Sequence, residues 1–117
     1  MKKALENSVF KFKRKAGEST HHIVPIESNV EGAERCRKLL DKLKLNIDEE
    51  YNGVFLPMYK NSPNPGGAIV HATLDNPVYY KKVLDSLRKA TSQADAIRRL
   101  RRIRETLLDG TFYHANL

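Results

Sequence analysis

Apolar and polar positions divide the chain into two short predicted strands and three predicted amphipathic helices. Each predicted strand contains an apolar run closed by a proline, the first at residues 21–25 and the second at residues 54–57, and such runs are typical of strands. Apolar residues recur at helical spacing in the segments 33–43, 80–87 and 97–107, which predicts three helices. Short strands combined with longer helices predict a small, mostly helical α+β domain.

Local signals predict where the helices begin and end. Ser28 and Glu31 are spaced as a capping box, which places the start of the first helix at Ser28. The second and third helices carry cap signals of their own, because Asn, Ser and Thr favour the N-cap and glycine favours the C-terminus. These signals are Asn76 followed by Pro77, Thr91 or Ser92, and Gly110.

The remaining segments are predicted from alternation and turn chemistry. Val9–Lys13 alternates apolar and basic residues, which predicts a strand, and Asn52-Gly53 is a strong turn signal. The acidic residues 48–50 are interpreted as a solvated turn, and residues 61–67 as a loop rich in proline, glycine and asparagine. The tail, residues 111–117, is expected to be loosely held.

Length and composition limit the class of protein. A chain of 117 residues predicts one domain with one modest core. We divide it into a basic N-terminal segment (1–18), a central part (about 19–90) and a basic C-terminal helix (about 92–108). The single cysteine, Cys36, excludes an intrachain disulfide or a cysteine-based zinc cluster and is interpreted as a small core residue.

Charge and hydropathy indicate the kind of partner. The formal net charge of +7 and a sequence pI of about 9.6 favour a polyanion such as nucleic acid, an acidic protein or an anionic membrane surface. No apolar run approaches the ~20 residues of a membrane span, so membrane insertion is not expected. The N-terminus lacks the apolar stretch of a signal peptide, so any export signal would lie elsewhere or on a larger parent chain.

Two neighbouring histidines precede the first apolar run. Adjacent residues of an extended strand project in opposite directions, so His21 and His22 are poorly placed to bind one ion in the same way. They are better placed to divide two functions, one on a metal and one on a proton. The alternative is a surface histidine pair at a strand edge, and the local sequence leaves both interpretations open.

Four segments in order resemble the AHH branch of the HNH nucleases, in the ββα-metal (His-Me finger) superfamily. These enzymes often form the C-terminal toxin domains of bacterial polymorphic toxins. The resemblance runs from about residue 17 to residue 107. The chain departs from the family at Thr20, where the family name has alanine, and at Asn76, which stands near the place of a second histidine with one extra residue between. The four segments are Thr20–Pro25, Asn52–Pro57, Val70-His71 and Asn76–Tyr79.

The resemblance implies a single nuclease domain with a ββα-metal motif and one divalent ion, Mg²⁺ or Mn²⁺ or else Zn²⁺. It assigns His22 as the general base and His21 and His71 as metal ligands. Asn76 is the candidate third ligand. Asn52 would hold the loop behind the first strand and so orient His22. Phosphodiester hydrolysis needs such a base to activate water and a cation to stabilise charge.

Basic residues outside the motif are candidates for phosphate contacts. No base-reading motif is evident, so cleavage is expected to be largely independent of sequence. The alternative is a solvated basic face. The candidates are Arg98, Arg99, Arg101 and Arg102 of the last predicted helix, with Lys13 and Arg14 near the N-terminus.

The expected function is therefore a metal-dependent DNA endonuclease with a cognate acidic immunity protein. A toxin domain of this kind would be secreted and would act in the cytoplasm of the target cell; otherwise the protein would be cytoplasmic. One alternative is a non-catalytic basic module that binds nucleic acid and holds a structural metal. Another is a ribonuclease with the same site. A nuclease needs His22 free of metal, whereas a structural zinc needs a closed set of four ligands.

Overall fold

A computed structural model describes residues 1–117 and contains four helices and a two-stranded sheet. This composition confirms the predicted small α+β domain. Three short 3₁₀ turns, at Glu50–Asn52, His71–Thr73 and Phe112–His114, connect the main elements. In chain order the main elements are α1 (Lys2–Asn7), β1 (Glu18–His22), α2 (Ala33–Lys42), β2 (Gly53–Pro57), α3 (Pro77–Arg88) and α4 (Gln93–Asp109).

The sheet pairs β1 and β2 antiparallel, with His22 opposite Gly53. The first strand was predicted to end at Pro25, but β1 ends at His22 and residues 23–25 lie after it. The strands are not joined by a hairpin, because α2 lies in the connection between them. The turn predicted at Asn52-Gly53 precedes the second strand as expected but lies slightly earlier: a 3₁₀ turn ends at Asn52, and Gly53 already begins β2. The side chain of Asn52 is fully buried and bonds to Val24 and Ile47, so this asparagine joins distant segments of the chain.

One hydrophobic core holds the sheet and the helices together. Cys36 lies in this core on α2, as predicted. The apolar stripe of α4 is fully buried there, at Leu100, Ile103 and Leu107. On α3, Tyr79 is fully buried and Tyr80 is almost so. The first turn of α3 therefore lies where the core meets the histidine-bearing strand.

Three helix ends follow the predicted caps, and one does not. Asn76 caps α3 by accepting a hydrogen bond from the Tyr79 amide at 2.8 Å. Ser92 caps α4, which ends at Gly110 with a φ of +80°. The predicted capping box at Ser28 is wrong, because α2 begins only at Ala33. The Ser28 hydroxyl is instead engaged with the Asp75 carboxylate.

The N-terminal strand predicted at Val9–Lys13 is absent. No strand lies beside it to accept its backbone hydrogen bonds, because the sheet contains only β1 and β2. The rings of Phe10 and Phe12 stack with centroids 5.7 Å apart. The Arg104 guanidinium lies 4.4 Å from the centroid of Phe12. The alternation of phenylalanine and lysine therefore serves to pack aromatic rings onto α4.

The C-terminal tail is held against the core, so the expectation of a loose tail is wrong. Phe112 is fully buried, and its ring centroid lies 5.3 Å from that of Tyr79. The Lys82 ammonium donates a hydrogen bond to the carbonyl of Ala115 at 2.7 Å. An aromatic residue buried directly after α4 explains why the tail folds back.

Candidate active site

Two histidines from distant segments meet beside the first turn of α3. The Nδ1 atoms of His21, on β1, and His71, in a 3₁₀ turn, lie 2.9 Å apart. The other ring nitrogen of His21, Nε2, lies 2.9 Å from the phenolic oxygen of Tyr79. That phenol in turn donates to the carbonyl of Ile23 at 2.7 Å. A buried chain of hydrogen bonds therefore runs from Ile23 through Tyr79 to the histidine pair.

This chain of bonds decides the tautomer of His21. A tyrosine has one hydroxyl proton, and Tyr79 gives it to the carbonyl of Ile23. The Nε2 atom of His21 must therefore carry a proton and donate it to Tyr79, which leaves a lone pair on Nδ1. Burial, followed by the charges of His71 and His22, lowers the pKa of His21 to about 3. His21 is therefore neutral at pH 7, and its lone pair is directed at His71.

His22 occupies a different environment from its neighbour. Its side chain is partly exposed, and its Nε2 atom lies 3.1 Å from a carboxylate oxygen of Asp48. Both histidines line one cavity of about 430 Å³. The two residues thus differ as expected for successive positions of a strand: His21 is buried among ring groups, and His22 is accessible.

Asn52 connects the strand that carries His22 to the loop before β2. Its amide oxygen accepts a hydrogen bond from the backbone of Val24 at 2.9 Å, and its amide nitrogen donates to the carbonyls of Val24 and Ile47. These bonds satisfy the buried amide fully. Asn52 therefore holds the segment two residues after His22, in the position where the resemblance expects a residue that orients the base.

Asp75 lines the same cavity and was missed by the sequence interpretation. One of its carboxylate oxygens accepts hydrogen bonds from the hydroxyls of Ser28 and Tyr80, each at 2.6 Å. These bonds lower the pKa of Asp75, with a smaller contribution from His71, so the carboxylate is charged. Asp75 follows His71 by four residues, a spacing that brings side chains together in a helical turn. That spacing is the sequence signal that would have found it.

Asn76 has a structural role in this geometry. Its amide oxygen accepts from the Tyr79 backbone, and its amide nitrogen donates to the carbonyl of Thr73 at 2.9 Å. It does not line the cavity that holds the histidines. The structure therefore brings His21, His22 and His71 together, whereas it engages Asn76 as the cap of α3.

The donors present fit a metal centre that keeps open positions. Two ring nitrogens 2.9 Å apart repel each other unless a proton or a cation lies between them. Neutral imidazole is a common ligand for divalent metals. No cluster of three or more histidine, cysteine, aspartate or glutamate side chains has metal-binding geometry. The histidine pair would therefore hold a cation together with water or substrate oxygens, and a closed structural site is not formed.

The arginines predicted to contact nucleic acid differ in whether their side chains already form ion pairs within the protein. Arg98 and Arg99 both form ion pairs with Asp95 within α4. Arg101 is paired with Glu50, which shows that the acidic segment 48–50 is not merely a solvated turn. Three of the four predicted arginines on α4 therefore already form ion pairs within the protein.

The remaining candidates lie at the surface. Arg102 is exposed and forms no ion pair or hydrogen bond. Lys13 is likewise exposed without a partner, whereas the Arg14 guanidinium donates to the carbonyl of Glu18 at 3.0 Å. The side chains of Arg102 and Lys13 are therefore the most available for phosphate contacts.

Comparison with known families shows to which class of protein this site belongs. Residues 3–107 match a nuclease family of the HNH/ENDO VII superfamily with conserved AHH. The chain belongs to the AHH nuclease family. Its Thr20-His21-His22 segment corresponds to the conserved AHH, with threonine in place of alanine. Neither the curated proteins nor the solved structures contain a match to the chain.

Membership of the AHH family identifies the protein as a nuclease. Its substrate is accordingly nucleic acid, in agreement with the basic net charge of +7. Nucleases of this family generally use a divalent metal, and the paired imidazoles are the donors suited to one here. None of the helices has the length and apolar character needed to cross a membrane.

Proposed function

We propose that this AHH nuclease is a metal-dependent endonuclease that hydrolyses DNA with little sequence preference. The proposal rests on the different environments of the two adjacent histidines. His21 is buried, neutral and directed at His71, whereas His22 is accessible in the same cavity. One histidine of the pair is thus suited to hold a cation, and the other is suited to accept a proton from water.

His21 and His71 would bind the ion through their Nδ1 atoms. The ion would supply positive charge to stabilise the phosphorane and the leaving oxygen. Tyr79 keeps the lone pair of His21 directed at the site by accepting the proton of Nε2. This arrangement is the outer-sphere support that metal-binding histidines require.

Two residues are candidates for the third protein ligand of the ion. Asn76 is the candidate from the sequence, but its amide oxygen already accepts the Tyr79 amide proton. Asp75 is charged, lines the cavity and leaves its second carboxylate oxygen without a protein partner. Oxygen ligands suit Mg²⁺ and Mn²⁺, and we therefore favour Asp75 as the third ligand. Because His21, His71 and Asp75 do not stand in metal-binding geometry together, the Asp75 side chain would have to turn its free oxygen toward the histidine pair on binding.

His22 would act as the general base. It lines the cavity beside His71, and its partly exposed ring leaves room for a water molecule. Its proton transfer would activate that water to attack the phosphorus atom, a contribution worth ~10²–10⁴-fold in rate. Asn52 would maintain the position of the strand that carries it, through the bonds to Val24.

We also propose a biological setting for this activity. A nuclease that cleaves DNA without sequence preference endangers the cell that makes it. A cognate acidic immunity protein covering the basic surface would protect the producer, and its charge would complement the net +7. The chain would then be the toxin domain of a secreted effector that acts in the cytoplasm of a target cell; otherwise it would act in the cytoplasm of its own cell.

The proposal is tested by incubating the purified protein with supercoiled plasmid, single-stranded DNA and structured RNA. We expect plasmid nicking that exhaustive chelation abolishes and that added Mg²⁺, Mn²⁺ or Zn²⁺ restores. His22→Ala, which should retain only residual activity, serves as the control. Cleavage that survives chelation would overturn the metal role. Cleavage of RNA alone would favour the ribonuclease alternative, and binding without cleavage would favour the non-catalytic module.

A further inference from the structure

A carboxylate from a separate loop contacts the histidine that we assign as the general base. The Nε2 atom of His22 lies 3.1 Å from an Oδ atom of Asp48. The two residues are 26 positions apart, on β1 and on the loop between α2 and the 3₁₀ turn at Glu50–Asn52. Asp48 is more exposed than His22, at 57% against 21% of the side chain. The carboxylate therefore approaches the ring from the solvent side.

Asn52 joins the two segments that carry this pair. Its buried amide bonds to the backbone of Val24, two residues after His22, and to the carbonyl of Ile47, one residue before Asp48. Because a single rigid amide ties both segments, the relative position of the two side chains does not depend on the exposed contact alone. The bonds of Asn52 therefore hold the backbone segments that carry His22 and Asp48 next to each other.

The loop that presents Asp48 is ordered by further local bonds. The side chain of Asn46 accepts a hydrogen bond from the Asp48 backbone at 2.9 Å. The Asn46 backbone in turn donates to the hydroxyl of Tyr51, also at 2.9 Å. An aspartate held at its backbone in this way loses less conformational entropy when its side chain contacts a partner.

We propose that Asp48 is a positioning residue for His22, an inference that rests on the proposed endonuclease function. As an ionised carboxylate, Asp48 can only accept a hydrogen bond, so the Nε2 atom of His22 carries the proton and donates it. The lone pair of neutral His22 is then on Nδ1, which has no protein partner. The contact selects the tautomer whose free nitrogen can receive a proton from water.

The same contact stabilises His22 after proton transfer. A water proton moves to Nδ1, the hydroxide oxygen bonds to phosphorus, and the bond from phosphorus to the leaving sugar oxygen breaks. His22 is left as an imidazolium, and the leaving oxygen takes a proton from solvent. Its Nε2–H bond to Asp48 then becomes a charge-assisted hydrogen bond, which is stronger than a neutral one. Asp48 takes no proton in this step and does not contact the reacting atoms.

The test compares Asp48→Ala and Asp48→Asn with a matched control, Glu49→Ala. Glu49 is the adjacent exposed acid and forms no side-chain bond, so its removal changes the net charge equally. We expect Asp48→Ala to lower kcat by roughly tenfold or more, within the ~10²–10⁴-fold that a general base supplies, with KM unchanged. Asp48→Asn should fall between, because its amide oxygen accepts the bond but lacks the charge. Glu49→Ala should match the wild type.

A second comparison separates positioning from a structural role. In a His22→Ala background, Asp48→Ala should cause no additional loss of residual activity, because it acts only through His22. An equal loss in both backgrounds, or a loss that follows a lowered melting temperature, would overturn the proposal. A kcat for Asp48→Ala equal to that of Glu49→Ala would also overturn the proposal.

A spectroscopic readout keeps this inference distinct from the nuclease assignment. Long-range ¹H–¹⁵N spectra of the histidine rings, at a pH where they are neutral, should show His22 protonated at Nε2 in the wild type. They should show a mixture of tautomers in Asp48→Ala and no change in Glu49→Ala. A tautomer that does not respond to Asp48 would overturn the inference. A wild-type protein that cleaves no nucleic acid, yet shows the Asp48-dependent tautomer, would overturn the proposed function and support the contact.

Discussion

The Nδ1 atoms of His21 and His71 lie 2.9 Å apart, although 50 positions separate the two residues in the chain. Their approach depends on Tyr79, which holds the opposite nitrogen of His21. His22, the next residue, has no part in this contact and faces Asp48 instead. Because successive side chains of a strand point in opposite directions, the two neighbouring histidines contact different partners.

This division predicts different effects for the three histidine variants. His22→Ala should lower cleavage ~10²–10⁴-fold while metal binding survives, because a base acts on water and does not hold the ion. His21→Ala and His71→Ala should weaken both, and excess metal should partly restore cleavage. Calorimetric metal titration paired with a plasmid assay measures this. A His22→Ala protein that loses metal as completely as His21→Ala would contradict the assignment.

Tyr79→Phe should lower metal affinity without unfolding the protein. The variant leaves the Nε2 proton of His21 and the carbonyl of Ile23 without a partner, which costs about 1–3 kcal/mol of stability. Loss of an outer-sphere partner typically lowers metal affinity ~10–100-fold. Tyr59→Phe is the control, because this tyrosine is exposed and its hydroxyl bonds to neither a histidine nor Asp75. Equal metal affinity in wild type and Tyr79→Phe would refute the role of the phenol.

Asp75 and Asn76 are distinguished by variants that preserve the fold. Asp75→Asn removes the charge with little change of shape and should lower metal affinity roughly tenfold or more, at least as much as an outer-sphere loss. Asn76→Ser should leave affinity unchanged, because serine is also a good N-cap for α3. Metal titration of both variants decides the matter. The opposite outcome would restore Asn76 as the third ligand.

Arg102→Ala should weaken DNA binding and reduce its salt dependence. Each phosphate contact contributes a slope of about 1 to the plot of log affinity against log salt concentration. Arg102 is exposed and unpaired, whereas Arg99 is 19% exposed and bound to Asp95. Arg99→Ala should therefore have little effect and serves as the matched control. Salt slopes from fluorescence anisotropy test this, and equal slopes in wild type and Arg102→Ala would remove that arginine from the interface.

Glu50→Gln should destabilise the protein in a pH-dependent manner. Burial raises the pKa of Glu50, but hydrogen bonds from Arg101 and Arg104 outweigh it and leave the pKa lowered. In the variant, the Arg104 guanidinium, which is only 5% exposed, loses the charge of its partner. We expect the free energy of unfolding to fall by about 1–3 kcal/mol at pH 7.

The sign of the pH effect follows from that lowered pKa. A carboxyl whose pKa is lower in the folded state stabilises it above the unfolded pKa of about 4.3, and this contribution is lost as the pH falls through the folded pKa. The stability difference between wild type and Glu50→Gln should therefore shrink in acid. Urea denaturation at pH 7 and in acid measures it, with Glu49→Gln as control. A difference independent of pH would show that charge is not the cause.

Several helices and helix caps, which depend on residues close in the chain, were predicted correctly from the sequence. Apolar spacing located α3 and α4, and the caps at Asn76, Ser92 and Gly110 were confirmed. A helix and its cap are stabilised by contacts within a few residues, so the local pattern contains the information. The predicted start of α2 at Ser28 failed because its hydroxyl contacts Asp75, 47 positions away.

The sequence also determined the family and the residues of the motif, since the histidine pair and the segments around it are local patterns. It did not determine their partners. Asp75 lines the histidine cavity and Asp48 contacts His22 only because the chain folds back on itself, and Glu50 pairs with Arg101 across 51 positions. Such contacts depend on how β1, the loop before β2 and the helices pack together. Local pattern therefore predicted which residues could do the chemistry, and tertiary packing decided which nitrogen, carboxylate or guanidinium each one faces.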